Sequence, residues 1–144
     1  MIPGANHLSL ALLLAGALAT GTMGPALAQA PPEQAVRDSF GISVSRLHEW
    51  AGQKDFILVN VHVPYAGDIP GTDLRIPFDR VADHRDKLPA DKAARLVVYC
   101  RSGPMSLQAW QTLWEMGYVQ VYHVIGGMRA WSDAGYPLEQ RGDG

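Results

Sequence analysis

Residues 97–106 read Val97-Val98-Tyr99-Cys100-Arg101-Ser102-Gly103-Pro104-Met105-Ser106. The apolar run that ends at Tyr99 predicts a buried strand. Gly103 and Pro104 then predict a short turn and the start of a helix, because proline is well tolerated at the first helical position. The only cysteine of the chain, Cys100, therefore lies between the end of a strand and the start of a helix.

Apolar strand patterns and helical patterns alternate along the rest of the chain. Strands are predicted at residues 55–62, 74–77, 95–99 and 119–124, and all but the brief second one are apolar enough to be buried on both faces. Helices are predicted at residues 43–50, 81–88, 104–117 and 128–134, with Ser43 or Ser45 as the cap of the first. The alternation predicts an α/β fold with a central parallel sheet flanked by helices.

The N-terminal region is predicted to be a targeting segment. Residues 8–18 form an unbroken run of apolar and small residues, and Ala26-Leu27-Ala28 fits a cleavage site, although no Lys or Arg precedes the run. We therefore predict a signal peptide at 1–28, an N-terminal tail at 29–42, one domain at 43–140 and export, to the periplasm. An uncleaved N-terminal tether is the alternative, and no membrane span is expected after cleavage.

The composition narrows the class of partner. A formal net charge of −2 from 12 basic and 14 acidic residues lacks the basic excess that is typical of proteins that bind nucleic acid or anionic membranes. A chain with one cysteine cannot form an internal disulfide, even in an oxidising compartment. The thiol of Cys100 is therefore free, paired with another molecule, or used chemically.

The position of Cys100 suits nucleophilic chemistry. A cysteine at the mouth of a helix meets unpaired amides and the positive end of the helix dipole, which favour its thiolate form. A turn with Gly103 can aim several amides at one point, Arg101 adds positive charge, and Ser102 and Ser106 either donate to the same concavity or cap the helix. This chemistry needs no metal and no organic cofactor. The alternative is a buried, inert cysteine at the end of a strand.

Histidine and cysteine residues show no zinc-ligand spacing. Of the five histidines in the chain, His48, His62, His84 and His123 are scattered along the predicted domain. We interpret each of them as a surface residue or a satisfied core residue rather than as a metal ligand.

Three ordered motifs resemble one family. Cys100-Arg101-Ser102-Gly103 after a buried strand resembles the active-site loop of rhodanese-like sulfurtransferases. Asp68-Ile69-Pro70-Gly71 is similar to the His-Ile-Pro-Gly-Ala segment of that family, and residues 126–131, Gly-Gly-Met-Arg-Ala-Trp, are similar to its Gly-Gly-x-x-Ala-Trp signature. The resemblance runs from about Val44 to Leu138, and three motifs in order make chance agreement improbable.

The resemblance implies a rhodanese-like fold and a sulfur-transfer reaction. Cys100 is then the nucleophile, which takes a sulfane sulfur from a small anion such as thiosulfate and carries it as a persulfide to cyanide, a thiol or a protein cysteine. The implied substrate-binding loop comprises Arg101, Ser102, Gly103, Pro104, Met105 and Ser106, in which the amides, other than at Pro104, hold the sulfur. Arg101 is expected to assist donor binding.

The sequence departs from the family pattern at several positions. Pro104 and Met105 stand where many active members have a second loop arginine. The usual Asp-Val-Arg of the first core strand reads Asn60-Val61-His62, and Asp68 replaces a histidine. Arg75 and Arg129 are the candidates to supply the missing charge.

Two alternative functions remain, and Ser106 argues against the first. A cysteine phosphatase or arsenate reductase needs Cys-x5-Arg to bind a tetrahedral oxyanion, and Ser106 occupies that arginine position. A non-catalytic module that docks a partner protein or relays sulfur is the second alternative. The missing loop arginine favours such a module, whereas the intact Cys-Arg-Ser-Gly turn opposes it.

Overall fold

The computed structural model describes residues 39–141, which form a single parallel sheet with helices on both faces. The strands are β1 (Gly41–Ile42), β2 (Ile57–Asn60), β3 (Leu74–Arg75), β4 (Leu96–Tyr99) and β5 (Val121–Val124), in the order β1-β5-β4-β2-β3. The helices are α1 (Val44–Ala51), α2 (Pro104–Glu115) and α3 (Gly127–Asp133), with a 3₁₀ helix at Val81–His84. Every strand pair is parallel, so the predicted α/β fold is confirmed.

The central strand β4 divides the core into two layers. Leu96, Val98 and Cys100 pack in the layer that includes the buried face of α2, whereas Val97 and Tyr99 pack in the layer formed by α1 and α3. All five side chains are buried, because helices cover both faces of the sheet. This alternation explains why the sequence of β4 is continuously apolar.

Local signals set the helix ends. The side chain of Ser43 accepts a hydrogen bond from the amide of Arg46 at 3.1 Å, which caps α1 as predicted. Gly52 ends that helix. Pro104 is the first residue of α2, and Gly103 precedes it with φ 131°, a conformation that other residues rarely adopt.

The structure corrects two sequence predictions. Gly41 and Ile42, placed in the tail at 29–42, form an edge strand that pairs with β5, a two-residue element too short to leave a periodic pattern. The helix predicted at 81–88 is a 3₁₀ helix of four residues, and its only buried side chain is Val81. Pro89 disfavours helical geometry just before it.

The predicted signal peptide at 1–28 and most of the predicted tail lie outside the described residues. Within residues 39–141, no helix combines the length and the apolar character required to cross a membrane.

Candidate functional site

Cys100 lies at the carboxyl end of β4, the middle strand of the sheet. The β2–β4 register pairs Asn60 with Tyr99, and Val61 donates its amide to the Tyr99 carbonyl at 2.9 Å. Ligands of parallel sheets bind outside the carboxyl ends of the strands. Cys100 is therefore at the edge where a site is expected, with 1 % of its surface exposed.

The sulfur of Cys100 has one amide donor and one hydroxyl neighbour. The amide of Gly103 donates to Sγ at 3.0 Å, and the positive φ of Gly103 belongs to the turn that brings this amide back to the sulfur. The hydroxyl of buried Ser106 lies 3.7 Å from Sγ and donates to the Gly103 carbonyl at 2.8 Å. Since a hydroxyl has one proton, Ser106 accepts from the thiol in this arrangement and must rotate that proton to stabilise a thiolate.

The other residues of the predicted loop are exposed or half-buried. Arg101, Ser102 and Pro104 are exposed, and Met105 is half-buried against the core layer on the α2 side. The N-cap of α2 is Gly103 without a side-chain cap, so the capping role considered for Ser102 is not observed. Of the predicted loop, the structure brings Gly103 and Ser106 to the sulfur.

The first turn of α3 holds the start of the loop. The amide of Met128 donates to the Cys100 carbonyl at 2.9 Å, and the amide of Arg129 donates to the Arg101 carbonyl at 3.0 Å. Gly127 makes this approach possible, because a Cβ atom there would lie 2.2 Å from the Cys100 carbonyl oxygen. Close packing against the Cys100 carbonyl therefore explains why residue 127 is a glycine, which the sequence pattern alone did not explain.

Tyr99, the residue before Cys100, anchors the opposite layer. Its buried hydroxyl accepts from the amide of Ile69 at 3.0 Å and lies 2.7 Å from the hydroxyl oxygen of Thr72. Burial raises the pKa of Tyr99, which keeps this hydroxyl protonated. The Asp68-Ile69-Pro70-Gly71 motif is thus tied to the strand that carries the cysteine.

Asp68 is the centre of a buried polar cluster that sequence reasoning missed. Its carboxylate is 2.6 Å from Arg75 Nη2, 3.0 Å from Asn60 Nδ2 and 2.9 Å from the Tyr65 hydroxyl. Burial alone raises the pKa of Asp68, but the hydrogen bonds from Arg75, Asn60 and Tyr65 outweigh it and hold the pKa below its ordinary value. Arg75, a candidate for the missing loop charge, is therefore committed to Asp68.

The sequence profile of the rhodanese-like domain matches residues 46–134. The chain belongs to the rhodanese-like domain family. It is 34 % identical over 91 residues to a sulfurtransferase of Allochromatium vinosum, an alignment that covers 61 % of this chain and 82 % of the relative. It is 28 % identical over 92 residues to the thiosulfate sulfurtransferase GlpE of Coxiella burnetii, an alignment that covers 61 % of this chain and 84 % of that relative.

A solved structure supports the same assignment. The crystal structure of a rhodanese-related protein from Thermoplasma volcanium superposes with a TM-score of 0.59 at 26 % identity and covers 68 % of this chain and 95 % of that one. The rhodanese-like fold and family expected from the three motifs are confirmed.

Two clefts flank the cysteine loop of this rhodanese-like domain. One, of about 350 Å³, is lined by Arg101 together with Arg129 and other residues of α3. The other, of about 370 Å³, is lined by His62 and Arg75 among others, on the β2–β3 side. Burial, together with the positive charge of Arg101, lowers the pKa of His62, so its ring is neutral at neutral pH.

Proposed function

We propose that the chain transfers a sulfane sulfur from a small anionic donor such as thiosulfate, through a persulfide on Cys100, to a thiol or cyanide acceptor. The observation that carries the proposal is the hydrogen bond from the Gly103 amide to Sγ at 3.0 Å, at the carboxyl end of the central strand. A backbone dipole in that position stabilises negative charge on sulfur. The relatives named as sulfurtransferases support the same reaction class.

In the first half-reaction, the Cys100 thiolate attacks the outer sulfur of thiosulfate. A new S–S bond forms to Sγ, the S–S bond of the donor breaks, and its electron pair leaves with sulfite. Arg101 is exposed beside the cysteine and supplies the positive charge that attracts a dianionic donor. Its contribution is to donor capture, because the structure shows no contact between its side chain and Sγ.

In the second half-reaction, the sulfane sulfur leaves the loop. An acceptor thiolate or cyanide attacks the outer sulfur, the Cys100 S–S bond breaks, and its electron pair returns to Sγ as thiolate. The negative charge that appears on Sγ meets the Gly103 amide and can also recruit the Ser106 hydroxyl. The loop thus stabilises the leaving group as well as the adduct.

The same proposal includes export. The apolar run at residues 8–18 and the Ala26-Leu27-Ala28 segment support secretion to the periplasm. A persulfide on a lone cysteine there has no partner cysteine in its own chain with which to form a disulfide.

Intact mass after incubation with thiosulfate tests the covalent step, with Cys100→Ser as the matched control. We expect the wild-type chain alone to gain one sulfur, about 32 Da, and to lose it when a thiol is added. A reduced Cys100 that gains no mass from thiosulfate contradicts the donor assignment. Equal gain by both chains contradicts the role of Cys100.

A sulfur-relay or docking module is the second candidate, and the lack of a second loop cation favours it. Pro104 and Met105 supply no cation to hold a free anion beside Cys100. A relay module is expected to gain sulfur from a persulfidated protein but not from thiosulfate. Running both donors against one sample therefore separates the two functions.

A further inference from the structure

The cleft on the β2–β3 side lies outside the sulfur-binding loop. It has a volume of about 370 Å³, and its lining includes His62, Tyr65, Arg75, Ile76, Pro77 and Arg141. Extending the β2–β4 register, which pairs Asn60 with Tyr99, places His62 opposite Arg101, the residue after Cys100. The cleft and the cysteine therefore share one edge of the sheet.

The two charged side chains that line the cleft are basic, and the carboxylate of Asp68 behind the lining offsets the charge of one of them, Arg75. Among the described residues, Arg75 and Arg141 line it and no carboxylate does. Asp68 fixes Arg75 through Nε and Nη2, which leaves Nη1 without a hydrogen bond in the described part of the chain. Arg141 is exposed, and its amide donates to the Tyr65 hydroxyl at 2.8 Å, which holds its backbone at the cleft.

His62 adds a neutral donor to these cations. Its Nδ1 atom is buried and has no hydrogen-bond partner among residues 39–141. A buried N–H without an acceptor is rarer and more costly than an under-satisfied acceptor nitrogen, so the ring proton belongs on Nε2. Together the three side chains favour an anionic group, carboxylate above all, because guanidinium binds it with matched geometry.

The distance from this cleft to the sulfur limits the size of the ligand. Arg75 is on β3 and Cys100 follows β4, with β2 between them. Two strand spacings separate their backbones by about 10 Å. A compact anion such as thiosulfate cannot occupy both places at once, whereas a thiol joined to a carboxylate by a spacer can. Ile76 and Pro77 in the lining suit an apolar spacer.

We propose that this cleft binds the sulfur acceptor, a small thiol that carries a carboxylate on a spacer of several carbons. The inference rests on the proposed sulfur transfer and names the acceptor class. The thiol loses its proton to solvent, its sulfur attacks the sulfane sulfur on Cys100, and a new S–S bond forms. The Cys100 S–S bond breaks, its electron pair stays on Sγ, and the acceptor leaves as a persulfide.

Binding is tested with hexanoate, which has no sulfur and cannot react. Titration of the full chain is followed by the NMR signals of the His62 and Tyr65 rings, with hexanol as the uncharged match. We expect hexanoate to shift both rings and hexanol to bind more weakly. Arg141→Gln should weaken hexanoate binding by up to about fivefold, the upper limit for one exposed charge pair. Arg46→Gln, on exposed α1, removes the same charge and should change nothing.

Transfer is tested on chain loaded with sulfur at Cys100, by the rate at which its mass falls. Mercaptohexanoate should remove the sulfur faster than mercaptohexanol, and mercaptoacetate, which is too short to span the distance, should lack that advantage. Arg141→Gln should reduce the preference by the same factor by which it weakens hexanoate binding, without slowing sulfur loading.

The outcomes separate this inference from the proposed function. If Cys100 cannot be loaded, the sulfur-transfer proposal fails, and with it the acceptor role of the cleft. Hexanoate binding then shows only whether the cleft is an anion site. Loading followed by equal rates for the acid and the alcohol overturns the acceptor assignment alone. Equal binding of hexanoate and hexanol, or shifts confined to the α3 side of the loop, overturns the anion site.

Discussion

The substitution Gly127→Ala tests whether α3 holds the cysteine loop. The added Cβ would lie 2.2 Å from the Cys100 carbonyl oxygen and 2.8 Å from the Arg101 carbonyl carbon, and the φ of Gly127 is +54°. These neighbours are backbone atoms, which no side-chain rotation can move aside. The first turn of α3 must therefore retreat from the loop, or the loop from α3.

The magnitude follows from three losses. An alanine in left-handed backbone costs about 1–2 kcal/mol. A retreat of roughly 1 Å, needed to relieve the contact, stretches the Met128 and Arg129 amide bonds from 2.9 and 3.0 Å beyond hydrogen-bond range. Each bond contributes about 0.5–1.5 kcal/mol. We expect Gly127→Ala to lose about 2–5 kcal/mol, a large share of the stability of a domain.

Gly135→Ala is the matched control, because Gly135 has φ +86° and no atom within 4 Å of an added Cβ. It carries the conformational cost of about 1–2 kcal/mol alone. Urea unfolding gives both free energies, and sulfur loading of the folded fraction reports on the loop. If both variants lose the same free energy, or if Gly127→Ala loads sulfur at the wild-type rate, the proposed support of the loop by α3 is refuted.

Ser106→Ala should slow sulfur loading by about tenfold to hundredfold, because a hydrogen bond to a charged group contributes roughly 1.5–3 kcal/mol. The exposed Ser102→Ala is the control, and equal slowing of both variants would contradict a specific role for the Ser106 hydroxyl. Hydrogen bonds outweigh burial and hold the pKa of Asp68 below its unfolded value near 3.9. The stability that its carboxylate confers is therefore present above that pH and lost as the pH falls through the folded pKa. Urea unfolding across this pH range should give a flatter dependence of the unfolding free energy on pH for Asp68→Asn than for the wild type. Parallel dependences would contradict a stabilising role of the Asp68 carboxylate. The pKa of His62 is lowered by burial and by Arg101, so the stability tied to its neutral form should be lost as the pH falls below about 6.5, and His62→Gln should remove that slope.

Local signals account for the parts of the fold that the sequence predicts well. The strand before Cys100 is buried on both faces and reads as an apolar run, and Ser43 and Pro104 mark helix starts through their own chemistry. β1 is different, because its two residues are fixed by pairing with β5 rather than by a pattern of their own. Pairing between distant segments leaves no local trace in the chain.

The same distinction separates the predicted from the missed parts of the site. Gly103 reaches the sulfur because three residues and a positive φ suffice to close that turn. The ion pair of Arg75 with Asp68 depends on the β2–β3 register, which pairs Asn60 with Arg75 across the sheet. The sequence shows the unusual residues at 60 and 68 but not this register. Their coupling therefore becomes visible only in the folded chain.

Under the proposed sulfur transfer, the uncharged groups around the sulfur allow the loop to hold negative charge without a second arginine. The Asp68–Arg75 pair keeps its charge within the β2–β3 side, so the partners of the sulfur are an uncharged amide and an uncharged hydroxyl. The Gly103 amide dipole is fixed in the fold and is barely screened by salt, whereas attraction of a donor to exposed Arg101 is screened over about 8–10 Å. Under that proposal, capture of the donor and retention of the sulfur are therefore separate physical tasks. Loss of the second loop arginine weakens the first task and leaves the second to the backbone.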